Sequence, residues 1–166
     1  MSDATLERVE RLAALLRTSG GRLVTAESCT GGLLAAACTS VAGSSDWFER
    51  GFVTYSNAAK SELLGVAPQT IVAHGAVSPE VATAMAEGAL AASAASLAVA
   101  VTGVAGPGGG TVAKPVGTVW IGLAGRAFAA HAVLLQATGD RTSIRTQSVA
   151  RALALLVEAA GGEIGR

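Results

Sequence analysis

SLAVAVTG, residues 96–103, is a continuous apolar run that ends in a small polar residue and a glycine. An uninterrupted run of this kind is typical of a strand buried on both faces, in a sheet that helices cover on both sides. Working outward from it, the preceding chain predicts shorter strands at 22–27 and 48–55. GTVWIGLAG and AFAAHAVLL, which follow, meet at Gly125-Arg126 and predict an antiparallel hairpin.

Helical patterns alternate with these strands. Helical spacing, capping residues and glycine stops predict helices over 4–19, from a Thr30 cap to about 43, over 58–65, over 78–92 and over 139–160. Residues 70–77 show no clear pattern and are predicted to be a loop. This order favours an α/β fold, a three-layer α/β/α sandwich with a mixed, mostly parallel sheet, in a single domain spanning 1–166.

Composition excludes several classes of protein. Lys plus Arg equals Asp plus Glu at 12 each, and no basic stripe is present, which argues against a nucleic-acid partner or a membrane-surface role. Cys29 and Cys38, if both lie on one helix, face opposite sides and cannot pair, so two free thiols suggest a cytoplasmic protein. His74 and His131 have no partner at metal-ligand spacing, and neither a metal nor a cofactor is predicted. The many alanines suggest further burial at an oligomer interface.

TAESCTGG, residues 25–32, is the first candidate for chemistry. A strand ends there and a helix begins, so the free amides of Thr30, Gly31 and Gly32 could stabilise an anion or an oxyanion. Ser28 stands just before them, where a nucleophilic hydroxyl would be useful. The same pattern also fits a capped strand-to-helix turn with glycines for close packing, and the two interpretations stay open.

FVTYSNAAK, residues 52–60, is the second candidate. Lys60 falls in the first turn of a predicted helix, where the helix dipole disfavours a cation. If that lysine is partly buried its pKa falls, and a neutral amine can act as a general base toward a serine. Tyr55 could orient the amine or relay a proton. The alternative is a surface lysine beside a tyrosine at the edge of the core.

VTGVAGPGGG, residues 101–110, and a pair of arginines form the third candidate. Glycines allow close approach of the backbone to a ligand, although neither the Walker nor the Rossmann spacing is met. Arg141 and Arg145 share one face at the start of the last helix and suit a phosphate, unless that face is simply solvated. The residues predicted to contact a substrate here are Thr102, Gly103, Gly106, Arg141 and Arg145.

Taken together, TAESCTGG, GFVTYSNAAKSELLGV, HGAVSPEVA, VTGVAGPGGG with KPVGTVWIGLA, and GDRTSIR resemble the CinA C-terminal domain family, the nicotinamide-nucleotide amidases. The resemblance spans about residues 5–160. It implies hydrolysis of nicotinamide mononucleotide to nicotinate mononucleotide and ammonia, a three-layer α/β/α fold and a homo-oligomer. One departure is visible, because Val112-Ala113 stand where the family often carries acidic residues.

The resemblance maps a serine–lysine mechanism with a tyrosine onto Ser28, Lys60 and Tyr55. Attack by Ser28 on the carboxamide would form an acyl-enzyme, with the Thr30–Gly32 amides at the oxyanion. Cys29 is the rival nucleophile. Two alternatives from other classes remain, a nucleotide-binding module without catalysis and a competence- or damage-associated regulator, although the balanced charge gives DNA binding no physical support.

Overall fold

The structure of the chain is a computed structural model that describes residues 2–162. Within those residues five strands form one sheet, in the spatial order β2-β1-β3-β4-β5. The strands are β1 (Leu23–Glu27), β2 (Phe48–Val53), β3 (Leu97–Gly103), β4 (Thr118–Gly125) and β5 (Phe128–Gln136). β1 pairs in parallel with both β2 and β3, whereas β3–β4 and β4–β5 are antiparallel. The predicted mixed sheet and its hairpin are confirmed.

Helices cover both faces of this sheet, which confirms the α/β sandwich. They are α1 (Asp3–Ser19), α2 (Leu33–Cys38), α3 (Asn57–Leu64), α4 (Pro68–His74), α5 (Pro79–Ala91) and α6 (Arg141–Ala160). α1, α2 and α6 enclose one apolar cluster with one face of the sheet, and α3, α4 and α5 enclose a second on the other face. The predicted central strand β3 is buried over Leu97–Thr102 and contributes to both clusters.

Two local predictions are wrong. The helix predicted from a Thr30 cap begins later, at Leu33, because Gly31 and Gly32 have φ values of +56° and +96°, which no right-handed helix contains. Residues 70–77, predicted to be a loop, contain most of α4 instead. Pro68 supplies the fixed φ that favours a helix start, and Ile71 is buried against the second cluster. Two turns are too short for the sequence period to reveal a helix.

Both cysteines are free, as predicted, although the geometric reason was wrong; both are also buried. Cys38 ends α2, whereas Cys29 lies in the loop before that helix begins. The thiols are therefore separated by the loop geometry rather than by opposite faces of one helix.

Candidate active site

The candidate site lies at the carboxyl edge of the parallel strands. β1, β2 and β3 run in the same direction, so the loops after Glu27, Val53 and Gly103 emerge side by side. Open α/β sheets bind ligands at this edge. Ser28 directly follows β1 and remains tied to the sheet, because its N–H donates to the carbonyl of Val101 at 2.9 Å. This places a half-buried serine above the centre of the sheet.

Lys60 reaches this serine from the first turn of α3. Its side chain is only 1% exposed, and its Nζ lies 3.1 Å from Ser28 Oγ. The same nitrogen donates to the carbonyl oxygens of Thr54, at 2.9 Å, and Tyr55, at 3.4 Å. Ser56 caps α3 by accepting from the N–H of Ala59, which fixes the first turn that carries Lys60. The structure thus brings together two residues that are 32 positions apart in sequence.

The environment of Lys60 shifts its amine toward the neutral form. Burial lowers the pKa of Lys60 below its ordinary 10.5, and the opposing influence of Cys29 is the smaller one. The three oxygens around Nζ can accept all three N–H groups of an ammonium; they also suit a neutral amine, which has two N–H groups and one lone pair. When the amine is neutral and donates to the Thr54 and Tyr55 carbonyls, its lone pair can face the Ser28 hydroxyl. The arrangement can take a proton from Ser28.

Cys29, the rival nucleophile, is poorly suited to attack. Its side chain is 6% exposed, and burial raises the pKa of its thiol to about 11. At neutral pH it is therefore a thiol rather than a thiolate, which is the reactive form. These features favour Ser28 over Cys29.

Tyr55 contacts Lys60 through its main chain rather than through its ring. The Tyr55 hydroxyl instead accepts a hydrogen bond from Nη2 of Arg141 at 2.9 Å, and the tyrosine side chain is 58% exposed. Nη1 of the same guanidinium donates to the carbonyl of Gly106 at 2.9 Å. Arg141 therefore joins the end of β2 to the glycine-rich loop, and Tyr55, Gly106 and Arg141 form one rim of the site.

Arg145 lies against the serine loop itself. Its Nε donates to the carbonyl of Cys29 at 3.1 Å, and its Nη2 donates to that of Thr30 at 2.9 Å. No carboxylate forms a salt bridge with Arg141 or Arg145 within residues 2–162. Both guanidinium groups retain N–H donors beyond those bonds, so the pair can still accept an anion.

The oxyanion donors predicted at Thr30–Gly32 are only partly available. The N–H of Gly31 donates to the carbonyl of Ser28 at 3.0 Å, and the N–H of Gly32 donates to Glu27 Oε2 at 3.0 Å. Among the described residues no acceptor receives the N–H of Thr30. Because a trans peptide directs its C=O and N–H to opposite sides, the bond from Arg145 to the Cys29 carbonyl turns the Thr30 N–H away from Arg145.

Thr102 and Gly103 each make a structural contact, and their predicted contact with a substrate stays a prediction. The Thr102 hydroxyl donates to the carbonyl of Ala76 at 2.8 Å, which anchors the turn before α5. A Cβ added at Gly103 would come within 2.7 Å of a Val119 methyl group, so this glycine permits close packing of β3 on β4. Neither contact excludes a substrate, but each accounts for its residue without one.

Glu27 is the residue that the sequence patterns missed. Its side chain is fully buried, and its carboxylate accepts from three backbone amides at the start of α2: Gly32 and Leu34 at 3.0 Å each, and Ala35 at 2.8 Å. The available signal was an acidic residue in an otherwise apolar strand, five positions before a glycine that precedes a helix. An anion thus already occupies this helix N-terminus.

Both histidines have partners elsewhere in the fold. His74 lies 3.4 Å from Glu80, and His131 contacts the carbonyl of Ala129, so both histidines have structural partners. Across residues 2–162 no group of three or more His, Cys, Asp or Glu side chains is arranged to hold a metal ion. Over the same span no helix is both long and apolar enough to cross a membrane.

Comparison with known proteins points to one family. Residues 6–160 match the model of the CinA C-terminal domain. A protein of Enterobacter agglomerans named nicotinamide-nucleotide amidohydrolase PncC is 51% identical over 149 residues, which cover 89% of this chain and 91% of the relative. A Pseudomonas putida protein of the same name is 54% identical over 145 residues, covering 86% and 89%.

A solved structure agrees with this match. The crystal structure of the competence/damage inducible protein CihA from Agrobacterium tumefaciens superposes with a TM-score of 0.93 at 44% sequence identity, and the alignment covers 97% of this chain and 98% of that one. The similarity therefore extends through the sheet, both helical layers and the loops that carry Ser28 and Lys60.

Proposed function

Because this chain belongs to the CinA C-terminal domain family, we propose that it is an amidohydrolase that converts nicotinamide mononucleotide and water to nicotinate mononucleotide and ammonia. The names of its relatives give the substrate class. The observation that carries the proposed mechanism is the 3.1 Å distance between Lys60 Nζ and Ser28 Oγ. Lys60 itself is only 1% exposed.

Acylation begins with proton transfer from Ser28 to neutral Lys60. The Ser28 oxygen then attacks the carboxamide carbon, and the carbonyl oxygen becomes an oxyanion. When the tetrahedral intermediate collapses, the C–N bond breaks and the proton held by Lys60 goes to the departing ammonia. The Thr30 N–H, which no described residue accepts, is the donor that we assign to the oxyanion; because Thr30 is fully buried, this contact requires the loop to shift when substrate binds, while Gly31 and Gly32 hold the loop.

Hydrolysis of the acyl-enzyme reverses these roles. Lys60 takes a proton from water, the hydroxide attacks the ester carbon, and the Ser28 oxygen leaves with the proton that Lys60 returns. Tyr55 contributes its carbonyl to the amine, and its hydroxyl stands beside Arg141 at the rim. Arg141 and Arg145 would hold the 5′-phosphate with their remaining N–H groups, as guanidinium forks do for phosphate.

Ammonia release tests the reaction and the phosphate requirement together. The protein should hydrolyse nicotinamide mononucleotide far faster than nicotinamide riboside or free nicotinamide. Ser28→Ala should lower kcat/KM for the mononucleotide at least about a thousandfold, with an unchanged circular dichroism spectrum. Near wild-type release by Ser28→Ala would refute the serine mechanism. Binding of the mononucleotide by the wild type without turnover would instead support the non-catalytic module.

The predicted homo-oligomer stays a prediction. Static light scattering measures it directly, since the mass of one chain is 16.3 kDa.

A further inference from the structure

We propose that Glu27 is a positioning residue for the nucleophile, which holds the loop over residues 28–31 in the shape that presents Ser28 to Lys60. This inference rests on the proposed function, because it assigns a role in the same reaction. Glu27 does not contact Ser28 Oγ or Lys60 Nζ; it acts through the start of α2.

The manner in which α2 is capped separates Glu27 from an ordinary helix cap. α1, α3, α5 and α6 are each capped by the side chain immediately before their first residue: Ser2, Ser56, Ser78 and Asp140. α2 has Gly32 at that place, which has no side chain to give. The cap comes instead from Glu27, five residues earlier, so the capping bonds close a ring of chain that contains Ser28.

The ring is rigid because each of its parts is tied. Glu27 belongs to β1, whose residues pair on both sides, and its carboxylate is bonded to α2. Inside the ring, the Gly31 N–H is bonded to the carbonyl of Ser28, and Arg145 holds the carbonyls of Cys29 and Thr30. α2 is only six residues long and has little stability of its own. Its position therefore depends on the carboxylate that ties it to the sheet.

The cost of this cap indicates a function beyond helix capping. A buried carboxylate destabilises the fold unless hydrogen bonds satisfy it. A hydroxyl cap of the kind used by α1, α3 and α5 would cap α2 with a smaller desolvation penalty. What the carboxylate adds is reach, since it spans the loop. It also satisfies three amides at once, those of Gly32, Leu34 and Ala35, which a single hydroxyl cannot do.

Glu27→Gln is the first test, because it preserves shape while replacing one acceptor oxygen with an amide donor that faces a backbone N–H. Misplacement of a nucleophile by about 1 Å lowers turnover by roughly a hundredfold, so we expect kcat for nicotinamide mononucleotide to fall by about that factor. KM should stay within about twofold, since the arginine rim is untouched. Val9→Ala is the control, because it truncates a buried side chain of α1 and destabilises the fold away from the loop.

A second readout does not depend on the substrate. A fluorophosphonate probe labels an activated serine, and labelling of Ser28 is followed by mass spectrometry. Glu27→Gln should label at least tenfold more slowly than the wild type, and Val9→Ala at about the wild-type rate. If the wild type fails to hydrolyse the mononucleotide but labels rapidly, the proposed function fails, and the labelling rates alone decide the role of Glu27. Equal labelling and kcat in Glu27→Gln and Val9→Ala would overturn the positioning role, as would a loss expressed in KM alone.

Glu27→Asp covers the case in which the glutamine variant does not fold. It keeps the charge but is shorter by one methylene, so it cannot reach all three amides. Hydrogen exchange at Gly32, Leu34 and Ala35 reports the lost cap, and we expect exchange there to quicken while labelling of Ser28 slows by about tenfold. Faster exchange at these amides with wild-type labelling would show that the cap is purely structural and would overturn the proposal.

Discussion

Replacing Lys60 by methionine should make the stability of the protein less dependent on pH. Lys60 is almost completely buried, and burial lowers the pKa of its amine below 10.5. Between that lowered pKa and 10.5 the unfolded chain binds more protons than the folded chain, so the free energy of unfolding rises with pH. The penalty for burying the amine is absent above pH 10.5, grows as the pH falls through this window, and is complete below the pKa of the folded state.

The size of the effect follows from two opposing contributions. Lys60→Met removes the penalty for burying the charged amine. Where that penalty is complete, it amounts to about 1.4 kcal/mol for each tenfold loss of proton affinity in the folded state. The substitution also leaves the buried Thr54 carbonyl without its donor, at a cost of about 1–3 kcal/mol that does not vary with pH. The methionine variant should therefore be less stable than the wild type near pH 10.5, and the difference should shrink or reverse toward pH 7.

Urea unfolding at pH 7, 8.5 and 10, followed by fluorescence, measures this difference. Trp47 is a suitable reporter because its side chain is fully buried in the native state. Lys114→Met is the matched control, since it makes the same chemical change at the other lysine, which is only half-buried and likewise donates to a backbone carbonyl, that of His74. A Lys60→Met difference that stays constant across these pH values, or that varies no more than the Lys114→Met difference, would refute the lowered pKa. The neutral-base mechanism would then fail with it.

Three further predictions test the rim, the rival nucleophile and the packing beneath the site. Arg141→Met should raise KM for nicotinamide mononucleotide by about 10- to 100-fold, because one charge-assisted hydrogen bond to the phosphate is lost. KM for nicotinamide riboside should not change comparably, and equal changes for both substrates would contradict a role of Arg141 in phosphate binding. Cys29→Ala should keep kcat within about threefold in the ammonia assay, and loss of turnover would restore the cysteine as a candidate. Gly88→Ala would place its Cβ against the Leu64 carbonyl of α3, so urea unfolding should show a loss of at least about 1–3 kcal/mol, and an unchanged midpoint would contradict the close α3–α5 packing.

The order of strands and helices could be predicted from sequence because it depends on local patterns. β3 is an apolar run, and Ser78 with Pro79 gives a helix start that the structure confirms. Lys60 could be predicted to be unusual because its place in a first turn is a local property. The start of α2 could not, because Gly31 and Gly32 adopt left-handed φ values that depend on how the loop closes. α4 was missed because two turns give too short a period.

The partners of the site residues were the part that sequence could not reveal. Arg145 contacts two carbonyls, and Tyr55 meets Lys60 through its main chain, because every residue offers the same backbone groups and only the folded loop decides which are presented. The role of Glu27 was missed for the same reason, since its three partners are backbone amides and only its unusual place in β1 marked it in the sequence. A sequence pattern can indicate which side chains interact with one another, but it cannot indicate which side chains are held by backbone groups.

The arrangement of charge around Ser28 explains how a buried carboxylate and a buried base coexist at one sheet edge. Glu27 and Ser28 are neighbours in the chain, but Glu27 caps α2 whereas Ser28 meets Lys60. An ion pair between Glu27 and Lys60 would hold the amine protonated and abolish its use as a base. The alternation of side chains along β1 turns Glu27 toward α2, where three amides satisfy its carboxylate, while Lys60 approaches Ser28 from α3 and meets only carbonyls and a hydroxyl. Because the main chain satisfies the Glu27 carboxylate, Glu27 does not need Lys60 as a partner, and in the proposed mechanism the amine is left to act on Ser28.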